Sequence, residues 1–545
     1  MTTQIDNLTR AFQGRAIGRR QFLHGMLALG VSMPVAVAIL EACGGGTTTT
    51  TSKASLVVES AGINVITTLD PALAFLIVDQ VLVFNMYQSL LRVNTADLTK
   101  PYPSIATSYT TSSDGKTYTF ALNPAAVFSD GTPVTAADAA FSLNRNVNVH
   151  GTGQVLPDDM VATALDQHTV AVTVQTADQA IPWYIAHSCS GILNSAIVKQ
   201  NGGTDSTDAS TKDTAAGYLL QHSAGSGPYV LESTNIPSTV SVKVNPHYWG
   251  TKPVYQRVIF SQAAVTTQVI DLEKGTAQVA IDVAGSQLSG LPTSLNVIKG
   301  LGPNIQYLGM SNDPKLSTLT SNPGFREAVR YGIDYAGLVQ IAYPSVRVAG
   351  YIPSDYLGAL PLSEAPVRDV TRAKAALANA GLTNPTINLG FVTDESIGGL
   401  DQTTIASKIQ ADLKEVGINI VLAGLPGAVF TPLYHSHKVA FLLTYDGIDF
   451  PDPTAVLHYV PGGHDAARLN YQVGQEPAID ALVATAQSAV GDQQRAAAYQ
   501  TLQRALTATN AYVTLYQLPR VVVASKSVQN LKVDSFRYLT LGDLS

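Results

Sequence analysis

The sequence predicts an α/β protein of mixed sheets with flanking helices, arranged in two or three lobes. Three observations carry this. At roughly 150 residues per domain, 545 residues make about three folding units. Before about residue 305 the chain reads mainly as alternating apolar and polar runs between polar turns, which is strand spacing. Beyond that point helical runs and short strands alternate, as in α/β units with parallel pairing. With 46% apolar residues the chain can build large cores, so global disorder is excluded.

The elements follow in order. Residues 53–65 read as the first strand. Leu69-Asp-Pro-Ala72 is a turn, and 79–91 then shows helical spacing through Val81, Phe84, Tyr87, Leu90 and Leu91. Ser112-Ser-Asp-Gly115 precedes the alternating run 116–122, and an Asp-Gly pair in that position predicts a hairpin. Phe128-Ser-Asp-Gly-Thr-Pro133 is a second turn, and Thr135-Ala-Ala-Asp138 predicts a capping box opening a helix over 136–145. Strands with polar loops continue to 255–260. Then 325–341 and 372–380 are helical, 387–392 is a short strand, 401–416 is a helix ended by Gly417, and 418–422 is the strand after it. Residues 479–506 hold one or two more helices, and 512–523 return to strand. There are no internal repeats.

Thirty-three basic residues stand against forty acidic, for a formal charge of −7, and no long basic run occurs. Electrostatic binding of nucleic acid is therefore not expected. Charged residues make up only 13%, with Thr, Ser and Gly taking their surface role, which suits an exported protein.

Residues 1–42 predict an export signal. Arg19 and Arg20 precede the apolar run 26–40, as in twin-arginine signals. That run is 15 residues, interrupted by Gly30 and Pro34, whereas a bilayer span needs about 20. Ala42 before Cys43 resembles a lipoprotein cleavage site, so Cys43 is the expected lipidation site. An unlipidated anchor or a free exported form is the alternative. Residues 43–55 then form a lipidated Cys and flexible tether, reaching roughly 20 Å as a random coil. The only other cysteine, Cys189, lies next but one to His187; a small buried thiol at a strand edge is favoured over a nucleophile.

Local enzyme signatures are absent: no HExxH, CxxC, GxxxxGK[ST], GxSxG or complete GxGxxG occurs. Tyr434-His-Ser-His437 is the densest histidine spot. On a strand His435 and His437 would share a face and could grip a metal, but no third ligand stands nearby, so a solvated strand face is favoured. No catalytic residue, cofactor or metal is expected.

A series of words running through nearly all of the mature chain resembles the extracellular solute-binding proteins of family 5, the dipeptide, oligopeptide and nickel type that serve ATP-driven (ABC) importers. They are Leu69-Asp-Pro-Ala72 with Asn85-Met-Tyr-Gln-Ser-Leu-Leu91, Ser113-Asp-Gly-Lys-Thr-Tyr-Thr-Phe120, Val127 to Asp138, Gly225-Ser-Gly-Pro-Tyr229 and Asn245-Pro-His-Tyr-Trp-Gly250. Later come Phe325-Arg-Glu-Ala-Val-Arg330, Ala375 to Gly381, Ile409 to Ile418, Asp449-Phe-Pro-Asp-Pro-Thr454 and Asn470-Tyr471. The resemblance implies a bilobed fold of the large peptide-binding type with a two-strand hinge. Lobe I would comprise 53–304 and 513–545, with a subdomain inserted near 84–184, and lobe II 305–512. It also implies permease and ATPase partners, a monomer, and a place in the periplasm or on the outer face of the cell membrane.

In peptide-binding members an acid in the segment matching 445–453 pairs with the peptide amino group, and the matching residue is Asp449. A carboxylate in a closed, dry cleft needs a cation. An internal cap or Arg partner for Asp449 is the bland alternative. Asp446 stands where those members often have an aromatic residue, and adjacent Tyr445 is its candidate replacement. Phe75 and Asn312 are further cleft candidates by position. Trp249 belongs to a word that reads as structural. Peptides are the expected ligand, with a sugar, nickel chelate, opine or other amine as alternatives. A hydrolase using Asp446, Asp449 and Asp452, and a chaperone or signalling subunit, are the competing classes.

Overall fold

The computed structural model describes residues 53–94, 97–151, 154–283, 285–394, 396–397, 400–447, 450–533 and 539–545, together with Gln21, Gly25, Met26, Ala28 and Leu29. Arg19, Arg20, Cys43 and Asp449 lie outside the described residues.

One ten-stranded mixed sheet organises the chain. Its strands are β1 (Lys53–Ser60), β2 (Tyr229–Asn235), β3 (Thr239–Val244), β4 (Tyr255–Gln262), β5 (Val279–Ala280), β6 (Leu295–Met310), β7 (Thr386–Val392), β8 (Asn419–Leu425), β9 (Phe441–Gly447) and β10 (Tyr512–Ser525). Their order across the sheet is β8-β7-β9-β6-β10-β5-β1-β4-β3-β2. β1 runs parallel to β4 and β5, and β7 runs parallel to β8 and β9. The two longest strands, β6 and β10, are antiparallel neighbours at the centre.

These two strands join the halves of the sheet. At one end β10 pairs with β5, Val279 opposite Ala524; at the other β6 pairs with β9, Met310 opposite Phe441. Between the ends their register shifts, from Leu301 opposite Pro519 to Ile305 opposite Gln517. Pro519 has no N–H to give the ladder, so a break in pairing is what this sequence produces there.

Each half has its own cores. In the first, β1, β3 and β4 pack with the helix Ile77–Met86 through Leu56, Val58, Leu82, Val240 and Phe260. A four-stranded antiparallel sheet (Ala106–Thr111, Thr117–Leu122, Thr169–Thr173, Val161–Ala164) and the helix Ala136–Val149 enclose a second core around Phe120, Leu143 and Val172. In the second half, one sheet face carries helices Pro323–Gly332, Val370–Asn379 and Gln402–Glu415 over Leu308, Phe441 and Leu443. The opposite face is walled by buried Tyr307, Tyr351, Tyr459 and Tyr512.

Local chemistry explains several element ends. Gly115 takes φ of 70° in the hairpin turn, and Thr135 and Asp138 form the reciprocal capping box. Gly417, at φ of 96°, ends the helix Gln402–Glu415 as predicted. Other expectations need correction. The run 325–341 is two helices, because Asp334 leaves the helix and caps Tyr335–Ile341 by accepting from the Gly337 N–H at 3.0 Å. The stretch 181–219 is not strand but a series of short helices, one led by Pro182 and one capped by Asn194.

The family words lock onto one another. A Cβ at Gly225 would sit 2.4 Å from the Met86 carbonyl oxygen, and one at Gly227 would sit 2.5 Å from the Met86 carbonyl carbon. Only glycine allows that approach. Gln88 then accepts from the Ser226 hydroxyl and the Trp249 indole, both at 3.0 Å, confirming Trp249 as a structural residue.

Candidate functional site

The site is built where the halves of the sheet meet. At the register shift, Asn304, Ile305 and Gln306 of β6 lie opposite Gly447, Asp446 and Tyr445 of β9. Successive strand residues point to opposite faces. Tyr445 follows Phe441 and Leu443 onto the helix-covered face, and Asp446 follows Leu442 onto the tyrosine-walled face.

After β9 the chain reaches across to the first half. Phe450, 7% exposed, belongs to the core of the four-stranded sheet and meets the Tyr184 ring edge-on at 4.7 Å. Gln179, from the same region as Tyr184, donates to the Ala489 carbonyl of the second half at 2.9 Å. Asp452, fully buried, accepts from one Arg495 nitrogen at 2.7 and 2.9 Å and caps the turn Pro453–His458 through the Thr454 N–H. Nearby Asp178 is raised from the usual carboxyl range, first by burial and also by the charge of Asp452.

A second polar group hangs from β9. Asp446 Oδ2 lies 3.3 Å from His458 Nδ1. Its carboxyl is pushed up to about 7, first by burial and then by the charge of Asp465. Burial acts on Asp465 in the same direction, but hydrogen bonds to His464 and Asp446 and the charges of His458 and Arg468 outweigh it and hold Asp465 below the usual range. Arg468 fixes Asp465 from the other side at 2.8 Å.

The remaining sequence-predicted residues are dispersed. Phe75 is 54% exposed and forms an apolar surface run with Leu76 and Ile77 at the start of the helix Ile77–Met86. Asn312 lies beyond the far end of β6, six residues and about 20 Å along the strand direction from Gln306. Its Oδ1 accepts from Arg326 at 2.7 Å, tying that loop to the helix Pro323–Gly332. The structure thus does not bring Asn312 to Tyr445. The paired-histidine reading is corrected: His435 ends the helix Gly427–His435 instead of lying on a strand, and His437, at φ of 61°, turns its Nδ1 to the Ala467 carbonyl. Cys189 is indeed buried, but in a 3-10 turn, with the Cys189 N–H donating to His187 Nδ1. Asp446 and Asp452 face separate partners, so they do not form the acid–base pair a hydrolase would need. Residues the sequence reading missed are Phe450, His458, Asp465 and Arg495. Apart from Arg468 and His464 beside Asp465, the partners that bring them to the site stand 12 to 266 positions away, beyond any local spacing signal.

Comparison with known proteins now bears on this arrangement. The family of bacterial extracellular solute-binding proteins, family 5, matches residues 100–467, and the chain belongs to it. It is the solute-binding component of an ABC importer, not an enzyme. The "Probable D,D-dipeptide-binding periplasmic protein DdpA" of Escherichia coli K12 is 26% identical over 481 residues, covering 85% of this chain and 88% of its own. The fold is the bilobed one of periplasmic binding proteins. DppA from Helicobacter pylori in complex with the peptide STSA superposes with a TM-score of 0.72 at 18% identity, covering 90% of this chain and 98% of that one. NikA from Brucella suis in complex with Fe(III)-EDTA gives 0.75 at 19% identity, over 90% and 100%. Among the described residues no helix is long and apolar enough to cross a membrane.

Proposed function

We propose that this protein captures short peptides between two lobes, 53–304 with 513–545 and 305–512, the first carrying the inserted subdomain near 84–184, and delivers them to a permease. β6 and β10 act as the hinge at their register shift. The observation that carries the reading is the path of the chain after β9: Gly447 lies at the crossing strands and Phe450 in the core of the opposite half. Asp449 falls between them, in the segment where peptide-binding relatives place the acid that takes the ligand's ammonium. Tyr445 borders it. The 26% identity to a dipeptide-binding relative supports the same class. Exposed Phe75 supplies apolar cleft surface. The protein is a monomer exported by its Arg19-Arg20 signal and held to the membrane by lipidated Cys43.

The test is mass spectrometry of small molecules retained by residues 44–545 exported in the native host and purified without denaturation. A ladder of short peptides, lost in Asp449→Ala, is expected. In direct titration with a recovered peptide, Asp449→Ala should weaken binding by about 3 kcal/mol, roughly a hundredfold, as for one partner of a desolvated charge pair. A second reading keeps the receptor role for a non-peptide solute (a sugar, nickel chelate, opine or other amine), and Asp446 at the usual aromatic position favours it. Recovery of one such solute would replace the peptide reading.

A further inference from the structure

We propose that Asp446, His458 and Asp465 form a binding site for one borderline divalent cation of the Zn²⁺ class, separate from the captured solute. One side-chain atom from each residue lies within 4.8 Å of the other two. The His458 Nδ1 to Asp446 Oδ2 separation is 3.3 Å. Two ligands of a tetrahedral ion with bonds of about 2.0 Å stand about 3.3 Å apart, so a cation fits this edge without rebuilding it. One imidazole with two carboxylates suits zinc, cobalt or nickel, and disfavours the hard cations that take only oxygen.

A second observation points to a ligand. The Asp465 side chain is 2% exposed, and its Oδ2 meets no N–H or hydroxyl donor among the described residues, only the neighbouring carboxyl of Asp446. Its Oδ1 is already held by Arg468 at 2.8 Å and approached by the Tyr434 hydroxyl at 3.5 Å. The free oxygen is thus oriented by its twin and left facing Asp446. A buried carboxylate oxygen without a donor is costly, and a cation bridging it to Asp446 removes that cost. The side chains of Asp446 and His458, 18% and 33% exposed, leave a wet rim from which water completes the coordination.

The surrounding charge permits this. Arg468 stands on the far side of Asp465, with its other nitrogen on His464 Nε2 at 2.8 Å. The His464 ring lies 6.0 Å from that of His458. Further titratable neighbours are His435, on the helix Gly427–His435, Tyr434, whose hydroxyl approaches Asp465, and Tyr459, hydrogen-bonded to Asp446. The ligands come from β9, the turn Pro453–His458 and the helix His464–Arg468, so a bound cation would pin both ends of the segment that contains Asp449. Metal and solute affinities would then be coupled reciprocally.

The experiment titrates the chelator-stripped mature chain, residues 44–545, with Zn²⁺ by calorimetry and with Co²⁺ by visible absorption, with no peptide added. One equivalent of each should bind, Co²⁺ giving the intense bands of low-coordinate geometry. His458→Gln and Asp446→Asn should each weaken Zn²⁺ at least tenfold while the metal-free circular dichroism and Tm stay unchanged. His435→Ala/His437→Ala should bind like wild type. No stoichiometric binding, binding that survives both His458→Gln and Asp446→Asn, or loss confined to the His435/His437 variant would each overturn the site. None of these outcomes depends on which solute the cleft carries.

Discussion

Glu59 stands on β1 at 5% exposure, and its carboxyl is pushed up to about 8 by burial, aided by the charge of Asp271 and a hydrogen bond to it. The folded chain therefore keeps this proton up to about 8, whereas an unfolded chain releases it near 4.5. Between those values the folded state binds more protons, so stability falls as pH rises. Asp79, pushed up to about 7 mainly by burial, acts in the same direction from 3.8 upward. Glu59→Gln should raise Tm at pH 8 and leave it nearly unchanged at pH 4, with a gain of order 2 kcal/mol at pH 8 after solvent screening. Thermal melts at the two pH values check this. Arg145 behaves oppositely. Fully buried, it donates to Asp70 at 2.8 and 2.6 Å and to Asp213 at 2.7 and 2.8 Å. Arg145→Leu strands two buried carboxylates and should cost about 3–5 kcal/mol in urea unfolding. The sequence showed Asp70 as a turn residue, which it is, since its Oδ1 also accepts from the Ala72 N–H at 3.0 Å. Its ion-pair role was hidden, because Arg145 stands 75 positions away.

Elements were legible where their signals were local. The Asp-Gly hairpin, the Thr135 box and the Gly417 stop each depend on residues within four positions, and each formed as read. The Tyr434-His-Ser-His437 spot was misplaced for the converse reason. Four residues cannot distinguish a period of 2 from one of 3.6, and the helix that takes in Tyr434 and His435 carries Pro432 in its interior, where helix is not expected. What holds the crossing strands was equally unreadable. Gln517 is fully buried at the register shift; its amide donates to the Gly302 carbonyl at 2.8 Å and accepts from the Ser354 N–H and hydroxyl at 3.0 and 2.7 Å. A side chain thereby supplies the hydrogen bonds that the interrupted ladder cannot. Gln517→Leu should cost about 2–4 kcal/mol by leaving these groups unpaired, and should speed hydrogen exchange at the Ser354 amide.

At the scale of the molecule, the alternating texture gave the α/β class and the family words gave the bilobed fold, because both are properties of the whole chain. The contacts between the halves were not legible. They join residues far apart in sequence, as Phe450 with Tyr184 and Gln179 with Ala489 show. Phe450 contributes the apolar part. Burying a phenylalanine is worth about 1.5–3 kcal/mol, comparable to the difference between open and closed states that a micromolar ligand must overcome. If the halves separate when the cleft opens, this side chain stabilises only the closed state. Phe450→Ala should then weaken solute binding about tenfold or more, with the loss in the dissociation rate, while the Tm of the unliganded protein stays the same. Small-angle scattering supplies the independent check. Solute at wild-type saturating concentration should contract the wild-type protein and leave Phe450→Ala extended until more is added. A variant that melted early without solute, yet bound it normally, would place Phe450 in a permanent core and leave closure to the ligand alone.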